Sequence, residues 1–347
     1  MKANYQALLI VSFGGPDRPE DVMPFLDRVL AGRRVPPDRK RQVAEHYDAV
    51  GGKSPLNEQN LQLKAAVEAL FRVEGPPIPV YLGNRNWHPF LHESLAQMKE
   101  QGISRALAFV TSPYGSYSSC RQYLENIVDA RRCVGKGAPE IDKLRLFFHH
   151  PGFVEPNAGH LKTALKGIPS ERRNSATIVF SAHSIPLAMA RRCNYQEQLA
   201  ETCALVAGIS GVRSWHLVFQ SRSGSPRAPW LEPDIEDFLE QLDPSKTQDV
   251  VVLPIGFISD HMEVIYDLDV EARERCRRRG LNLVRVPTVG IHPAFVAMVR
   301  ELVLERFDPS RERRFLGRIV PPPDDCLPDC CVLPNDQVGP EAHEASG

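Results

Sequence analysis

What this chain lacks narrows its function first. None of its apolar runs approaches the ~20 residues that span a bilayer, so no helical membrane span is expected within it. A basic surplus is missing too: 42 Lys and Arg stand against 43 Asp and Glu, for a formal net charge of −1. Without excess cations to neutralise phosphates, a nucleic-acid partner is disfavoured. An export signal is the next absence. The stretch "MKANYQALLIVSFGG" has one lysine and a seven-residue apolar run that ends in Phe-Gly-Gly-Pro. That ending suits a first buried strand and its turn better than a cleavage site, so the chain reads as cytoplasmic. Nor is there a disulfide framework, because eight cysteines in a reducing compartment read as free thiols or metal ligands. Five are scattered, at Cys120, Cys133, Cys193, Cys203 and Cys276, and "CLPDCC" bunches three more as Cys326, Cys330 and Cys331.

What is present is ordinary for a soluble globular protein: 42% apolar and 24% charged residues, over a length that suits two domains or one large α/β domain. Strands are expected at "ALLIVSF", "PVYLG" (79–83), "ALAFVTS" (106–112), "LRLFF" (144–148), "TIVFSA" (177–182), "SWHLVFQ" (214–220), "DVVVLPI" (249–255) and "NLVRVP" (282–287). Helical periodicity fills the gaps, as in "NEQNLQLKAAVEALF" and "FVAMVRELVLERF". This alternation predicts an α/β fold of parallel sheets flanked by helices. There is also a faint internal repeat. "ALLIVSFGGPDRPEDV" resembles "TIVFSAHSIPLAMA", and "LAFVTSPYGSYSSCRQYLENI" resembles "VVVLPIGFISDHMEVIYDLDV". The expected organisation is an N-terminal α/β domain over 1–150 and a C-terminal α/β domain over 151–315, whose last helix is a candidate to pack back on the first. A proline-rich, Cys-containing tail over 316–347 lacks periodicity and is expected to be partly disordered.

Parallel sheets bind ligands at the carboxyl ends of their strands. In "TIVFSAHSIP" a titratable imidazole, His183, stands at such an end. Histidines there often bond only to backbone, yet an ordinary imidazole titrates near pH ~6.5 and can also exchange protons. A second constellation, "SDHMEVIYDLDVEARER", sets Glu263, Asp267 and Glu271 at i, i+4 and i+8. On a helix these carboxylates file along one face with a rise of about 6 Å per step. Such a file suits either a solvated face or a track for a dication that sheds water stepwise. A competing reading makes Glu263 the partner of Asp260 in a capping box that serves only the helix N-terminus. The combination favours chemistry: a histidine and a carboxylate row at strand-end loops, read as coming from opposite halves.

With those residues in hand the chain resembles the ferrochelatases. "HYDAVGGKSPLN", "FSAHSIP", "FQSRSG…PWLEPD" and "GFISDHMEVIYDLDVE" occur in that family's order and spacing, from "LLIVSFGGP" to about Phe307. The resemblance implies a lyase that inserts Fe²⁺ into a porphyrin in haem biosynthesis. It also implies a chelatase-like fold of two similar Rossmann-like domains with the macrocycle between them. "LGNRNWHPF" and "TSPYGSYSSCRQYLENI" look most like the versions in high-GC Gram-positive bacteria and relatives, which implies coproporphyrin III as substrate. A protoporphyrin IX ferrochelatase, a cobalt chelatase and a non-catalytic tetrapyrrole carrier are the alternatives. By this resemblance His183 and Glu263 are catalytic, and His183, Glu263, Asp267 and Glu271 handle the metal. Phe13, Ser54, Tyr117, Tyr123 and Arg33 would bind the porphyrin, with Tyr114 and Trp230 as further wall candidates. Phe13 departs from the tyrosine of some members. Propionate-gripping arginines of the family align with Leu30 and His46, leaving Arg33, Arg34 or Arg121 to substitute. Asn86 stands where some members carry a metal-binding histidine.

Many relatives also hold a [2Fe–2S] cluster on one internal and three C-terminal cysteines. Cys326, Cys330 and Cys331 match the latter, but the family's internal position falls on Pro156. Cys133 is the expected fourth ligand, with Cys120 as the other candidate. A structural zinc site or a redox-labile tail would use the same thiols. The implied partners are the porphyrin, ferrous iron, and transient membrane or haem-pathway enzyme contacts, for a monomer or a homodimer.

Overall fold

The computed structural model describes residues 4–31, 37–223, 228–324, 326 and 330–333. Eight strands form two sheets, every pair parallel: β1 (Ala7–Ser12), β2 (Val80–Asn84), β3 (Arg105–Val110) and β4 (Glu140–Lys143) in the first, β5 (Thr177–His183), β6 (His216–Gln220), β7 (Asp249–Leu253) and β8 (Asn282–Arg285) in the second. The orders are β2-β1-β3-β4 and β6-β5-β7-β8, which are the same topology written twice. The faint repeat is therefore structural, because β1 corresponds to β5 and β3 to β7. It extends further than the strands. After β3 and again after β7 the chain winds as a π-helix, over Tyr117–Arg121 and Ile265–Ala272. Helices cover both faces of each sheet, so β1 and β7 are buried along their whole length.

One expected strand is absent. β4 ends at Lys143, and within "LRLFF" the Leu144 N–H still reaches the Ala108 carbonyl at 2.9 Å before the chain leaves the sheet. Leu144, Phe147 and Phe148 are buried because this segment crosses between the halves, where they pack with Phe153 and Phe295. Apolar content alone does not separate such a crossover from a core strand.

The halves share one continuous core, and the helix Pro293–Phe307 seals it. It packs on Leu56–Glu74 of the first half and Pro151–Lys166 of the second. Arg300 donates to the Glu74 and Gly75 carbonyls (2.6 and 2.7 Å), the electronegative end of helix Leu56–Glu74. Arg306 donates to the Tyr5 hydroxyl at 2.8 Å. Arg145, in the crossover, makes a bidentate ion pair with Glu305 (2.7 and 2.9 Å), and both side chains are buried. A separate apolar cluster joins Val22, Phe25, Leu26 and Tyr47 of the helical segments Val22–Val29 and Pro37–Ala49 to Met262. These helices thus lean across the ends of the strands onto the second half.

Candidate active site

The residues singled out for chemistry cluster beyond the carboxyl ends of the strands. His183 is the last residue of β5. Its loop is held from outside by the segment that follows β6: Leu231 N–H donates to Ile185, Leu187 N–H to Pro229, and the Ser184 hydroxyl to Leu231 (2.9–3.0 Å). Trp230, a wall candidate, is buried in this buttress beside Pro186. Gly256 passes so close that a Cβ there would lie 2.7 Å from Ala182 Cα, so the turn after β7 can approach His183 only as glycine.

The tautomer of His183 follows from one contact. Nδ1 faces the Ser184 carbonyl, which can only accept, so Nδ1 carries the proton and Nε2 the lone pair in the neutral ring. Nε2 lies 3.6 Å from Glu263 Oε2, beyond hydrogen-bond length, with both side chains about a third exposed. Both residues lie in the second half, His183 at the end of β5 and Glu263 on the helical turn Met262–Val264 that follows the neighbouring strand β7, not on opposite halves as the pairing of motifs suggested. The capping-box alternative also fails. His261 is the N-cap and makes no side-chain cap. The Asp260 carboxylate instead grips Arg285 (2.8 and 3.0 Å) and Thr288 (3.2 Å), leaving Glu263 free to face the cleft.

Behind Glu263 the expected α-helix is π-wound from Ile265 to Ala272. Four residues overshoot an α-turn of 3.6, and wider turns bring Glu263, Asp267 and Glu271 more nearly into file. Asp267 is pushed up to about 8, by burial first and by the Glu263 charge second, against hydrogen bonds from Ser221 and Gln220. The Gln220 amide donates at 3.2 Å and is the strand neighbour of His183, so one residue links β5's partner strand to the row. Ser221 holds left-handed backbone (φ 61°), a conformation costing roughly 1–3 kcal/mol, in order to donate to Asp267. Because the folded-state pKa is raised, ionised Asp267 opposes folding: the cost begins above the ordinary value near ~4 and grows until pH passes about 8. Glu271 is also raised, by burial and then by Glu236. Arg275 ends the row, paired with Glu236 at 3.1 Å and with Glu240.

The first half contributes aromatic surface. Phe13 is 37% exposed and packs edge-on against Phe25 (6.2 Å), which meets Tyr47 (6.1 Å). Tyr47 is buried and its hydroxyl is pushed up by burial first and by the Glu263 charge second. Gly14 has φ +79° and Gly15 a Cβ position 2.8 Å from Ser54, so Ser54 sits buried directly beneath the turn after β1. Tyr117 is pushed up to about 12 by burial and by donating to Glu125 at 2.9 Å. Tyr123 is buried under Arg85. Tyr114 is not a wall residue: it is buried in the core and donates to Ile255 at 3.0 Å, tying the halves together. His46 stacks on Tyr266 (3.9 Å, 9°) from the leaning helices. Arg33 and Arg34 lie outside the described residues. Gln220, Ser221, Tyr47 and Arg85 were missed as site residues, although each lies inside a quoted motif. Glu236 carried no sequence signal.

The two internal cysteine candidates lie in different surroundings. Cys133 is exposed at the end of helix Gln122–Val134, whereas Cys120 is buried and hydrogen-bonds Cys326. That contact, with Lys143 nearby and burial opposing, holds the Cys326 thiol below the ordinary range. Cys326 also contacts Cys330, and Cys330 lies 3.7 Å from Cys331. Among the described residues, no three His, Cys, Asp or Glu side chains already stand close enough to hold a metal ion.

An imidazole with a free lone pair, a carboxylate row behind it and partly exposed aromatic surface on the first half fit an enzyme of the chelatase type. SirB from Bacillus subtilis, solved with Fe³⁺, shares this fold at a TM-score of 0.56 and 12% identity, over 88% of this chain and 97% of that one. The ferrochelatase family model matches residues 5–307. A ferrochelatase of Rhodopirellula baltica is 49% identical over 94% of this chain and 93% of its own. A coproporphyrin III ferrochelatase of Frankia alni is also 49% identical, over 94% of this chain and 87% of its own. The chain belongs to the ferrochelatase family, the lyases that insert metal into porphyrin in haem synthesis. Among the described residues, no helix is long and apolar enough to cross a membrane.

Proposed function

We propose that this enzyme metallates coproporphyrin III with Fe²⁺, using His183 as the base at the ring face and Glu263 beside it. The observation that carries the chemical role is the His183 contact pattern: Nδ1 is committed to Ser184, so Nε2 presents its lone pair beside Glu263. Insertion replaces two pyrrole N–H protons by one Fe²⁺. His183 Nε2 accepts one proton, Glu263 accepts the other, and both leave along Asp267 and Glu271. A ring held out of plane between the aromatic wall and these side chains turns its nitrogen lone pairs toward the entering ion, so binding energy lowers the barrier. Two halves, 1–150 and 151–315, form the cleft, with the final helix crossing back. Support for the substrate comes from relatives named coproporphyrin III ferrochelatases in Frankia alni and, at 46% identity, Nocardia farcinica. The test is anaerobic Fe²⁺ insertion followed by absorbance, with coproporphyrin III and protoporphyrin IX in parallel. A preference for the first is expected. A preference for protoporphyrin IX would overturn the substrate, and binding without insertion would overturn the enzyme roles.

A [2Fe–2S] cluster is the second part of the proposal, supported by the chain of neighbouring thiols. Four ligands are needed, and Cys120, Cys326, Cys330 and Cys331 fit that donor set, with Lys143 beside them offsetting thiolate charge. When bound, the cluster would supply a covalent tie between the tail and the first half. Cys120→Ser should abolish the visible absorbance of the purified protein and its acid-labile sulfide, and Cys133→Ser should change neither. The reverse result would restore Cys133 as the ligand, and a colourless wild type rich in zinc would replace the cluster by a structural metal.

A further inference from the structure

Arg85 is a half-buried cation at the carboxyl end of the first sheet. It follows β2, and its N–H donates to Ser12 at 3.0 Å, which fixes it beside Phe13 at the end of β1. Its guanidinium lies over the Tyr123 ring (4.6 Å to the centroid) and near Phe13 (5.6 Å). Nε donates to Asn126 at 2.6 Å, which orients the fork. No ion pair to Arg85 is present among the described residues, while Glu125 on the same helix as Tyr123 is taken by Tyr117 and Arg121. A partly exposed guanidinium held against aromatic faces without a carboxylate partner is placed to receive an anion. With Nε held by Asn126 and one further N–H shared with Tyr123, the guanidinium still has terminal N–H groups to offer a carboxylate.

Coproporphyrin III carries propionates on both edges of the ring, whereas protoporphyrin IX has two on one edge and vinyl groups elsewhere. The propionates common to both prefer the solvated mouth of the cleft, which turns the differing edge inward toward the strand ends. A vinyl group there would need only apolar contact and would leave Arg85 unpaired. We propose that Arg85 binds one of the carboxylates that coproporphyrin III has and protoporphyrin IX lacks, and so sets substrate preference; this rests on the coproporphyrin reading above. Asn126 and the Tyr123 ring position the guanidinium.

The test is fluorescence-quenching titration of wild type, Arg85→Gln and Arg85→Lys with coproporphyrin III and with deuteroporphyrin IX, a ring with only two propionates. Arg85→Gln should weaken coproporphyrin III binding roughly 10- to 100-fold and deuteroporphyrin IX binding less than about threefold. Arg85→Lys, which keeps charge but loses the fork, should fall between. If Arg85→Gln does not fold, Asn126→Ala, which frees the guanidinium, should lower the preference by a smaller factor. Equal weakening for both porphyrins, or no change for either, would overturn the proposal while a wild-type preference for coproporphyrin III left the substrate reading intact. A wild type that favours deuteroporphyrin IX would overturn that reading and this proposal with it.

Discussion

Replacing His183 by alanine should lower the rate of iron insertion by roughly 10²–10⁴-fold, the usual weight of a positioned general base. Porphyrin affinity should stay within about threefold, because the proposed binding contacts lie on the first half and at the ring's carboxylates, not at this imidazole. The split between kcat and binding is the informative readout. The side chain is partly exposed, its loop is fixed by backbone bonds to Pro229 and Leu231 that do not involve the imidazole, and the substitution should leave the fold intact. A His183→Ala enzyme that retained most of its rate would remove the base from this position and leave Glu263 to act alone. Loss of porphyrin binding in step with rate would make His183 a binding residue.

The second large effect is on stability and lies far from the chemistry. Arg145→Ala strips the partner from Glu305, whose carboxylate is buried in the seam between the crossover and the last helix. An uncompensated buried charge costs about 3–5 kcal/mol. Urea unfolding followed by tryptophan fluorescence and by far-ultraviolet dichroism should show the midpoint falling in both signals. The double variant Arg145→Met, Glu305→Leu should cost clearly less, since it removes the charge together with its partner. Equal losses in single and double variants would mean that the packing of the seam matters more than the charge.

Much of the architecture was legible in periodicity, and the reason is topological. Parallel sheets covered on both faces write continuous apolar runs, so β1, β3, β5 and β7 announce themselves. "LRLFF" misled because burial between two halves writes the same run without a sheet. His183 could be found from its place at a strand end. The expected boundary at 151–315 already put Glu263 in the same half as His183, against the reading of opposite halves, but that the two stand side by side depends on β5 lying next to β7, a fact of topology and not of spacing. The π-winding is invisible in a four-residue repeat that an α-helix would also accept. Arg85 and Gln220 were passed over for another reason: each is placed by neighbours contributed by distant segments, Asn126 and Tyr123 for the first, Asp267 for the second.

The helix Pro293–Phe307 has a consequence for how the molecule is made. A ribosome delivers the first sheet early, but one side of that sheet's core is closed by residues such as Phe295 and Val299, from a helix far downstream of β4. At about 5–20 residues per second, the nascent N-terminal half waits on the order of ten seconds or more with that apolar face open. Premature stops or ribosome stalling before Pro293 would therefore release a chain whose finished-looking first half is the part that aggregates.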